Sequence, residues 1–296
     1  MQRVKRLGVL IAGLDGAVAS TLVAGVALMR RGLAKPQGLI SEQFRGLAGF
    51  DSLVFGGWDT RSENLFDAAL RNRVLERDRL QPIAKELTGL KPWPAGVDKI
   101  AAFRRQVDSV IVLNLLPTGE NRASKQYAKF AARHGCPFIN FTPNDCAEAD
   151  TIPFCGRDGK TGQTWFKSVL APALHSRQLT ITGWFSTNLL GNEDGKIVGH
   201  PVKGRQKIRD KSKLLSEMLG YEPHHHVEIN YYPPRGDNKE SWDNIDFEGF
   251  LGLPMQIKVN ALYRDSVLAA PMCLDLVRFM DYADRKSTRL NSSHRT

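Results

Sequence analysis

GLDGAVASTLVAG, residues 13–25, follows directly on the apolar run of residues 5–12 and leads into a helix-like stretch. A dinucleotide-binding turn, G-x-G-x-x-G, lies at such a strand-to-helix junction and rests the pyrophosphate on the helix N-terminus. Gly13 and Gly16 are in place, but Asp15 stands at the second glycine and Ala19 at the third. A carboxylate aimed at a pyrophosphate repels it, so the turn alone does not establish a cofactor site. Its surroundings say more. Residues 5–12 read as a buried strand and 16–31 as a helix carrying Leu22, Val26 and Met29, the first βα unit of a Rossmann-type sheet.

Further along, a short apolar run at 51–55 ends in GGWDT, and 61–80 and 80–90 have helical character until KPWPAG breaks it at Pro92 and Pro94. DSVIVL (108–113) is a buried strand, 121–133 a helix, and CPFINF (136–141) another strand. Strands alternating with helices predict an α/β fold with a doubly wound parallel sheet. After residue 150 the character shifts: helices at 161–176 and 206–219, strands at 179–187, 226–232 and 255–263, then an apolar helix at 266–280. These divide the chain into a Rossmann-type domain over 1–155, an inserted α/β domain over 156–263, and a helix at 264–284 that returns to the first. RKSTRLNSSHRT (285–296) lacks an apolar period and is similar to translated cloning-vector sequence. The expectation is therefore that the native C-terminus is missing.

The 296 residues carry a formal charge of +10, which favours anionic partners. Lys and Arg are dispersed rather than gathered in one run, which argues against a nucleic-acid groove. Cys136, Cys146, Cys155 and Cys273 have neither zinc-site pairing nor the density of a secreted disulfide scaffold, and read as reduced thiols of a cytoplasmic protein. The apolar stretch 9–29 is interrupted by Asp15 and by glycines, which suits a buried strand and helix rather than a membrane span or a cleaved leader.

Polar clusters crowd the second half: GRDGKTGQTWFKS (156–168), NLLGNEDG (188–195) followed by Lys207 and Lys211 one helical turn apart, PPRGDNK (233–239), and RDS (264–266). Taken singly they are unremarkable. Two lysines at i, i+4 form a solvated helix face, GDNK is a turn, and Asp265 before an apolar helix is an N-cap. His224, His225 and His226 do not make a metal site, because three consecutive residues cannot all face one ion; they mark a strand entrance.

In order and spacing, however, these clusters resemble the myo-inositol-1-phosphate synthase family. FGGWDTRSENLFDAAL (55–70), FINFTPN (138–144), GKTGQT (159–164) and RDSVLAAPMCLDL (264–276) are similar to segments of that family. The resemblance implies NAD-dependent conversion of glucose 6-phosphate to a myo-inositol phosphate: oxidation at carbon 5, enolisation at carbon 6, aldol closure on carbon 1, and reduction, with no net redox change. It implies catalytic Lys207, Lys211 and Lys239, with Asp237 orienting Lys239. For NAD it implies Gly13, Gly16, Ser20, Thr21, Asp59, Thr142, Asp158, Asn192, Asp194, Asp265 and Ser266. It further implies a homo-oligomer (tetramer or dimer), no metal, and a place in inositol and phospholipid biosynthesis. Asp15 and Glu193 depart from the family's pattern. A divergent enzyme acting on another sugar phosphate, or a non-catalytic NAD-binding homologue, are the alternative readings.

Overall fold

LGVLIA at Leu7–Ala12 has no polar position, the pattern of a strand covered on both faces, and all six residues are buried. In the computed structural model, which describes residues 5–146, 152–156, 159, 161–192, 195 and 215–293, this strand (β1) lies at the centre of a six-stranded sheet. The others are β2 (Leu53–Asp59), β3 (Trp93–Pro94), β4 (Ser109–Asn114), β5 (Phe138–Asn140) and β6 (Phe154–Gly156). Their order is β3-β2-β1-β4-β5-β6 and every pairing is parallel. That is the strand order of a Rossmann sheet, whose ligand crevice opens where the order reverses, between β1 and β4.

The period-2 alternation of β1 supplies both faces of the core. Leu7, Val9 and Ile11 pack under α1 (Ala17–Arg30), α2 (Leu65–Asn72) and α4 (Ala84–Thr88). Leu10 and Ala12 pack with Val110, Val112 and the Tyr127–Ala128–Ala131 face of α6 (Asn121–Arg133). Between α2 and α4 lies the single turn α3 (Arg77–Leu80), and α5 (Ile100–Arg104) precedes β4. The two helices expected over 61–90 are thus several short ones. The first break is at Arg73, which adopts the left-handed conformation (φ 55°), and Pro82 lies in a 3₁₀ turn ahead of α4.

Contacts divide the chain into two units, Met1–Gly159 with Ala269–Thr296, and Lys160–Leu268. The second unit contains α7 (Gln163–Ser176), β7 (Thr180–Leu190), β8 (His224–Tyr231), β9 (Asn238–Glu248) and β10 (Pro254–Arg264). These strands form a sheet in the order β10-β9-β7-β8, antiparallel except for β7 with β8. Strand β9 was not expected, because PPRGDNK reads as a loop. Lys239 instead stands one residue into the strand. The 206–219 helix is described only at 215–219, where Leu215 and Leu219 join Ile181, Trp184, Ile245, Phe247, Ala171 and Leu174 in this unit's core.

The final helix, α8, spans Asp265–Ser293. In the first unit its Ala270, Cys273, Leu274 and Val277 join the β1 core. Asp275 accepts from the backbone N–H groups of Ile40 and Ser41, both at 3.0 Å. The helix continues past Asp284 to Ser293, and no glycine or proline follows Pro271 to break it. Arg285 bonds Asp281 one turn back at 2.8 Å and the Gly46 carbonyl at 3.1 Å.

Candidate functional site

The first constellation lies at the C-terminal ends of β1, β2, β4 and β5. Gly13 has φ +90°, and a Cβ there would lie 3.0 Å from the Leu115 carbonyl oxygen, so the turn after β1 passes too close to the β4 loop for a side chain. The Gly13 and Leu14 N–H groups donate to the Trp58 carbonyl at 2.9 and 3.0 Å. The GGWD motif explains why β2 reaches this far. A Cβ on Gly57 would sit 2.0 Å from the Ile11 carbonyl oxygen, so glycine permits the close approach of β2 to β1. Trp58 then anchors the strand end: its indole donates to the Val97 carbonyl at 2.6 Å and packs on Trp93, Tyr127 and Phe130. Asp59, the last residue of β2, accepts from the Asp15 N–H at 3.0 Å and from the Thr60 and Arg61 N–H groups.

Gly16 is the N-cap of α1, with neither a side-chain cap nor an acidic residue in the first turn. The first-turn N–H groups and the helix dipole are therefore left without a side-chain anion, which fits a cofactor pyrophosphate. Ser20 and Thr21 are buried in α1. The Ser20 hydroxyl donates to the Ala17 carbonyl and accepts from the Asn72 amide at 3.0 Å, while the Thr21 hydroxyl has no partner among the described residues. Thr142 is also buried. It bonds Asn140 at 2.8 Å within an asparagine network, Asn114–Asn140–Asn144, that ties the loops after β4 and β5 together.

Asp15 is fully buried, and among the described residues neither carboxyl oxygen has a hydrogen-bond partner. Burial first, then the Asp59 and Glu63 carboxylates, push its pKa up to about 7, with Arg71 and Arg61 opposing.

The second constellation fills one half of a sheet face in the second unit. Pleating turns Lys239, Ser241, Asp243, Ile245 and Phe247 of β9 to the covered side. On β7 a bulge between Ile181 and Gly183 shifts the phase, so Trp184, Ser186, Asn188 and Leu190 face the same way, opposite Ile245, Asp243, Ser241 and Lys239. One end of this face is apolar and the other polar. Over it, Gln163, Lys167, Ala171 and Leu174 form the buried stripe of α7.

Asp243 is the hub. Its carboxylate accepts two bonds from the Gln163 amide at 3.0 Å and one each from the Trp184 indole and the Ser186 hydroxyl at 2.7 Å. Asn188 donates to Gln163 at 2.9 Å. Lys167 Nζ lies 2.6 Å from His225 Nε2 and 5.4 Å from the centre of the Trp184 ring. Burial lowers the Lys167 amine from 10.5 to about 8; Asp243 pulls it back up and the Lys239 ammonium adds to the drop. Lys239 is only 3% exposed. Its tip packs against Gly162 (φ +57°), where a Cβ would come within 3.0 Å of Cδ and 3.1 Å of Nζ.

Asp237 does not pair with Lys239 as expected. Its carboxylate accepts from the Ser266 hydroxyl at 2.6 Å and N–H at 3.2 Å, and thereby caps α8. Burial raises its pKa, while Ser266 and Asn192 bond its charged form. Asp265, the nominal cap, accepts instead from Thr161 at 3.1 Å. Asn192 also accepts from the Gly195 N–H at 2.9 Å. The three histidines separate by strand alternation, His225 towards Lys167 and His226 onto the Phe185 ring and Glu228. Lys207, Lys211, Asp158, Glu193 and Asp194 lie outside the described residues. Sequence reasoning passed over Gln163, Lys167 and Asp243. The signal was present for two of them: positions 163, 167, 171 and 174 follow helical spacing, which puts a glutamine and a lysine in line with Ala171 and Leu174.

Two family models described as myo-inositol-1-phosphate synthase match the chain, one at 162–266 and an NAD-binding one at 39–113. Inositol-3-phosphate synthase 1 of Bacteroides thetaiotaomicron is 35% identical, over 95% of this chain and 85% of its own. Isozyme 1 of Arabidopsis thaliana is 28% identical over 96% and 75%. The alignment with the Bacteroides protein runs over 366 positions, more than the 296 residues here, so that relative carries segments this chain lacks. Among solved structures, inositol-3-phosphate synthase of Caenorhabditis elegans superposes with a TM-score of 0.87 at 21% identity, covering 96% of this chain and 76% of that one. A synthase-related protein of Thermotoga maritima gives 0.73 at 22% identity, over 95% and 89%. Both structures share the fold.

Proposed function

The chain belongs to the myo-inositol-1-phosphate synthase family, and from that premise we propose that it converts glucose 6-phosphate to a myo-inositol phosphate. Bound NAD supplies hydride acceptance from carbon 5 and its return to the ring ketone. The first unit is the proposed NAD domain. Gly13 and Gly16 allow the tight turn after β1, the open N-terminus of α1 would hold the pyrophosphate, and Asp59 at the end of β2 would accept from the adenosine ribose.

The observation that carries the catalytic reading is the pair of buried amines, Lys239 and Lys167, in the polar half of the second unit's sheet. Enolisation and aldol closure both develop negative charge on oxygen, and fixed ammonium groups in a dry site stabilise it. Lys239 is assigned to the carbon 1 oxygen, Lys207 to the carbon 5 oxygen and Lys211 to the phosphate. Asp237 acts on Lys239 indirectly, by fixing the turn from which β9 starts. Asp158, Asn192, Asp194, Asp265, Ser266, Thr142, Ser20 and Thr21 complete the proposed cofactor and active-site set. An amine titrating near 8 beside a second ammonium is partly neutral at physiological pH, which suits it to carry a proton.

The test is NAD-dependent release of inositol phosphate from glucose 6-phosphate. Product in the presence of NAD and none without it is the expected result. NADH accumulating with a different sugar phosphate would replace this substrate with that one, and NAD binding without turnover of any sugar phosphate would leave a cofactor-binding homologue. Lys211→Ala should mainly raise KM, since it removes attraction common to ground and transition states. Lys207→Ala should mainly lower kcat.

A homotetramer is proposed for the assembly. Its support is the edge strand β10 and the turn before it, where Phe250 and Leu251 are 87% and 76% exposed. Light scattering on the protein and on Leu251→Asp tests this. A cytoplasmic location is proposed from the four free thiols, and a place in inositol and phospholipid biosynthesis from the product. Among the described residues no helix is long and apolar enough to cross a membrane.

A further inference from the structure

Among the described residues, Asp15 stands at the turn after β1 where the family pattern has a glycine. Its backbone is tied on both sides: the N–H donates to Asp59 at 3.0 Å, and the carbonyl accepts from Arg71 at 3.1 Å and Asn72 at 2.9 Å. Its carboxyl, by contrast, is fully buried, and among the described residues no group donates to either oxygen. An ionised carboxylate in that state is strongly disfavoured, whereas a neutral carboxylic acid is tolerated and has an O–H to donate. The charged groups around it are Asp59 from the end of β2, Glu63 and Arg61 from the following loop, and Arg71 from α2. The next residue, Gly16, is the N-cap of α1, whose first turn bears no acidic side chain. The carboxylates nearby outrank the arginines in effect.

We propose that Asp15 lies beneath this turn as a neutral carboxylic acid, so that the negative charge of a dinucleotide diphosphate at the adjacent α1 N-terminus favours its protonated form and couples cofactor binding to uptake of a proton. The proton passes from solvent to the Asp15 carboxylate, and no other bond forms or breaks. The inference rests on the NAD reading above and adds to it a pH dependence of binding that the glycine of the family pattern does not produce. With the free acid titrating at about 7, the group is already neutral in much of the cofactor-free protein at neutral pH. Affinity is then nearly constant below that value. Above it, affinity falls by up to about tenfold per pH unit, until the higher pKa of the bound state is reached.

Calorimetric titration with NAD at pH 6, 7, 8 and 9, in buffers of different ionisation enthalpy, counts protons without any turnover. The expected result is uptake approaching one proton near pH 8 and a Kd that weakens over the same range. Asp15→Asn keeps the shape but cannot titrate, and should bind with no proton uptake and a flat pH profile. Asp15→Gly should behave likewise. Circular dichroism melts confirm that each variant is folded. Wild-type binding with no proton uptake at any pH overturns the inference and leaves the NAD reading standing. Undiminished uptake in folded Asp15→Asn also overturns it and moves the proton to another group. No heat and no thermal stabilisation at millimolar NAD removes both.

Discussion

Replacing Lys167 with methionine should stabilise the second unit and inactivate the enzyme. The lysine is 2% exposed, and burial holds its amine at about 8 instead of 10.5. Each pKa unit is worth about 1.4 kcal/mol, so holding the charged form inside costs roughly 3 kcal/mol at pH 7. The sign follows from the direction of the shift. Between about 8 and 10.5 the unfolded chain binds the proton more tightly than the folded one, so unfolding free energy rises with pH across that window. Below pH 8 both states are protonated and the full cost applies. Lys167→Met removes the cost and the pH dependence together. It also forfeits the 2.6 Å contact with His225 and the stacking over Trp184, worth about 1–2 kcal/mol in all. Urea unfolding at pH 7, 8, 9 and 10 should give a wild-type stability that rises through this range and a variant curve that is flatter and higher at pH 7. Turnover of the variant should fall by about 100-fold or more, because removing a group that acts on developing charge costs that much. Parallel pH curves for the two proteins would refute the reasoning, and undiminished turnover would make Lys167 structural.

Gly162→Ala puts a methyl against the Lys239 tip at a residue with φ +57°. Stability should drop by about 1 kcal/mol, and kcat should fall with KM little changed. Asp243→Leu strands the Gln163, Trp184 and Ser186 donors beside a buried ammonium, for a loss of about 3–5 kcal/mol in a urea melt. In Asp243→Asn the Lys167 amine should titrate lower still, seen as a rise of stability with pH that begins below 8. Gly57→Ala drives a Cβ into the Ile11 carbonyl at 2.0 Å and should yield no folded protein by circular dichroism. Truncation after Asp284 removes the half-buried Arg285 contacts and should cost no more than about 1 kcal/mol.

The parts of this fold that could be read from sequence are those whose burial is apolar. LGVLIA and SVIVL are continuous runs, and α6 is expected and found at Asn121–Arg133. The region between β2 and β3 was harder because its helices are short and turn on a left-handed arginine, which no local preference announces. Strand β9 was missed for a different reason. Its covered positions begin Lys239, Ser241, Asp243, and polar residues at alternate positions signal solvent unless a partner layer is known to satisfy them. The same rule hid Lys167, since a lysine on a helix is by default a surface group. Asp59 and Lys239 were singled out through motifs rather than burial, and they lie at the end of β2 and near the start of β9. Asp15 was legible as an anomaly, but whether it faced solvent or the interior depended on the β2 end and α2 folding back over the turn.

The strand pair β7–β9 changes character along its length, from Ile181, Trp184, Ile245 and Phe247 at one end to Ser186, Asn188, Ser241 and Lys239 at the other. Cohesion at the first end comes from close packing, which is lost only when the whole unit opens. At the second it comes from directional bonds centred on Asp243, which break one at a time. Backbone amides on a single strand should therefore exchange with deuterium by two routes: those near Ile245 and Phe247 at the rate of global opening, and those near Lys239 and Ser241 through local fluctuation. The end that carries the proposed catalytic lysine can then loosen locally while the far end of the same strand keeps the sheet in register.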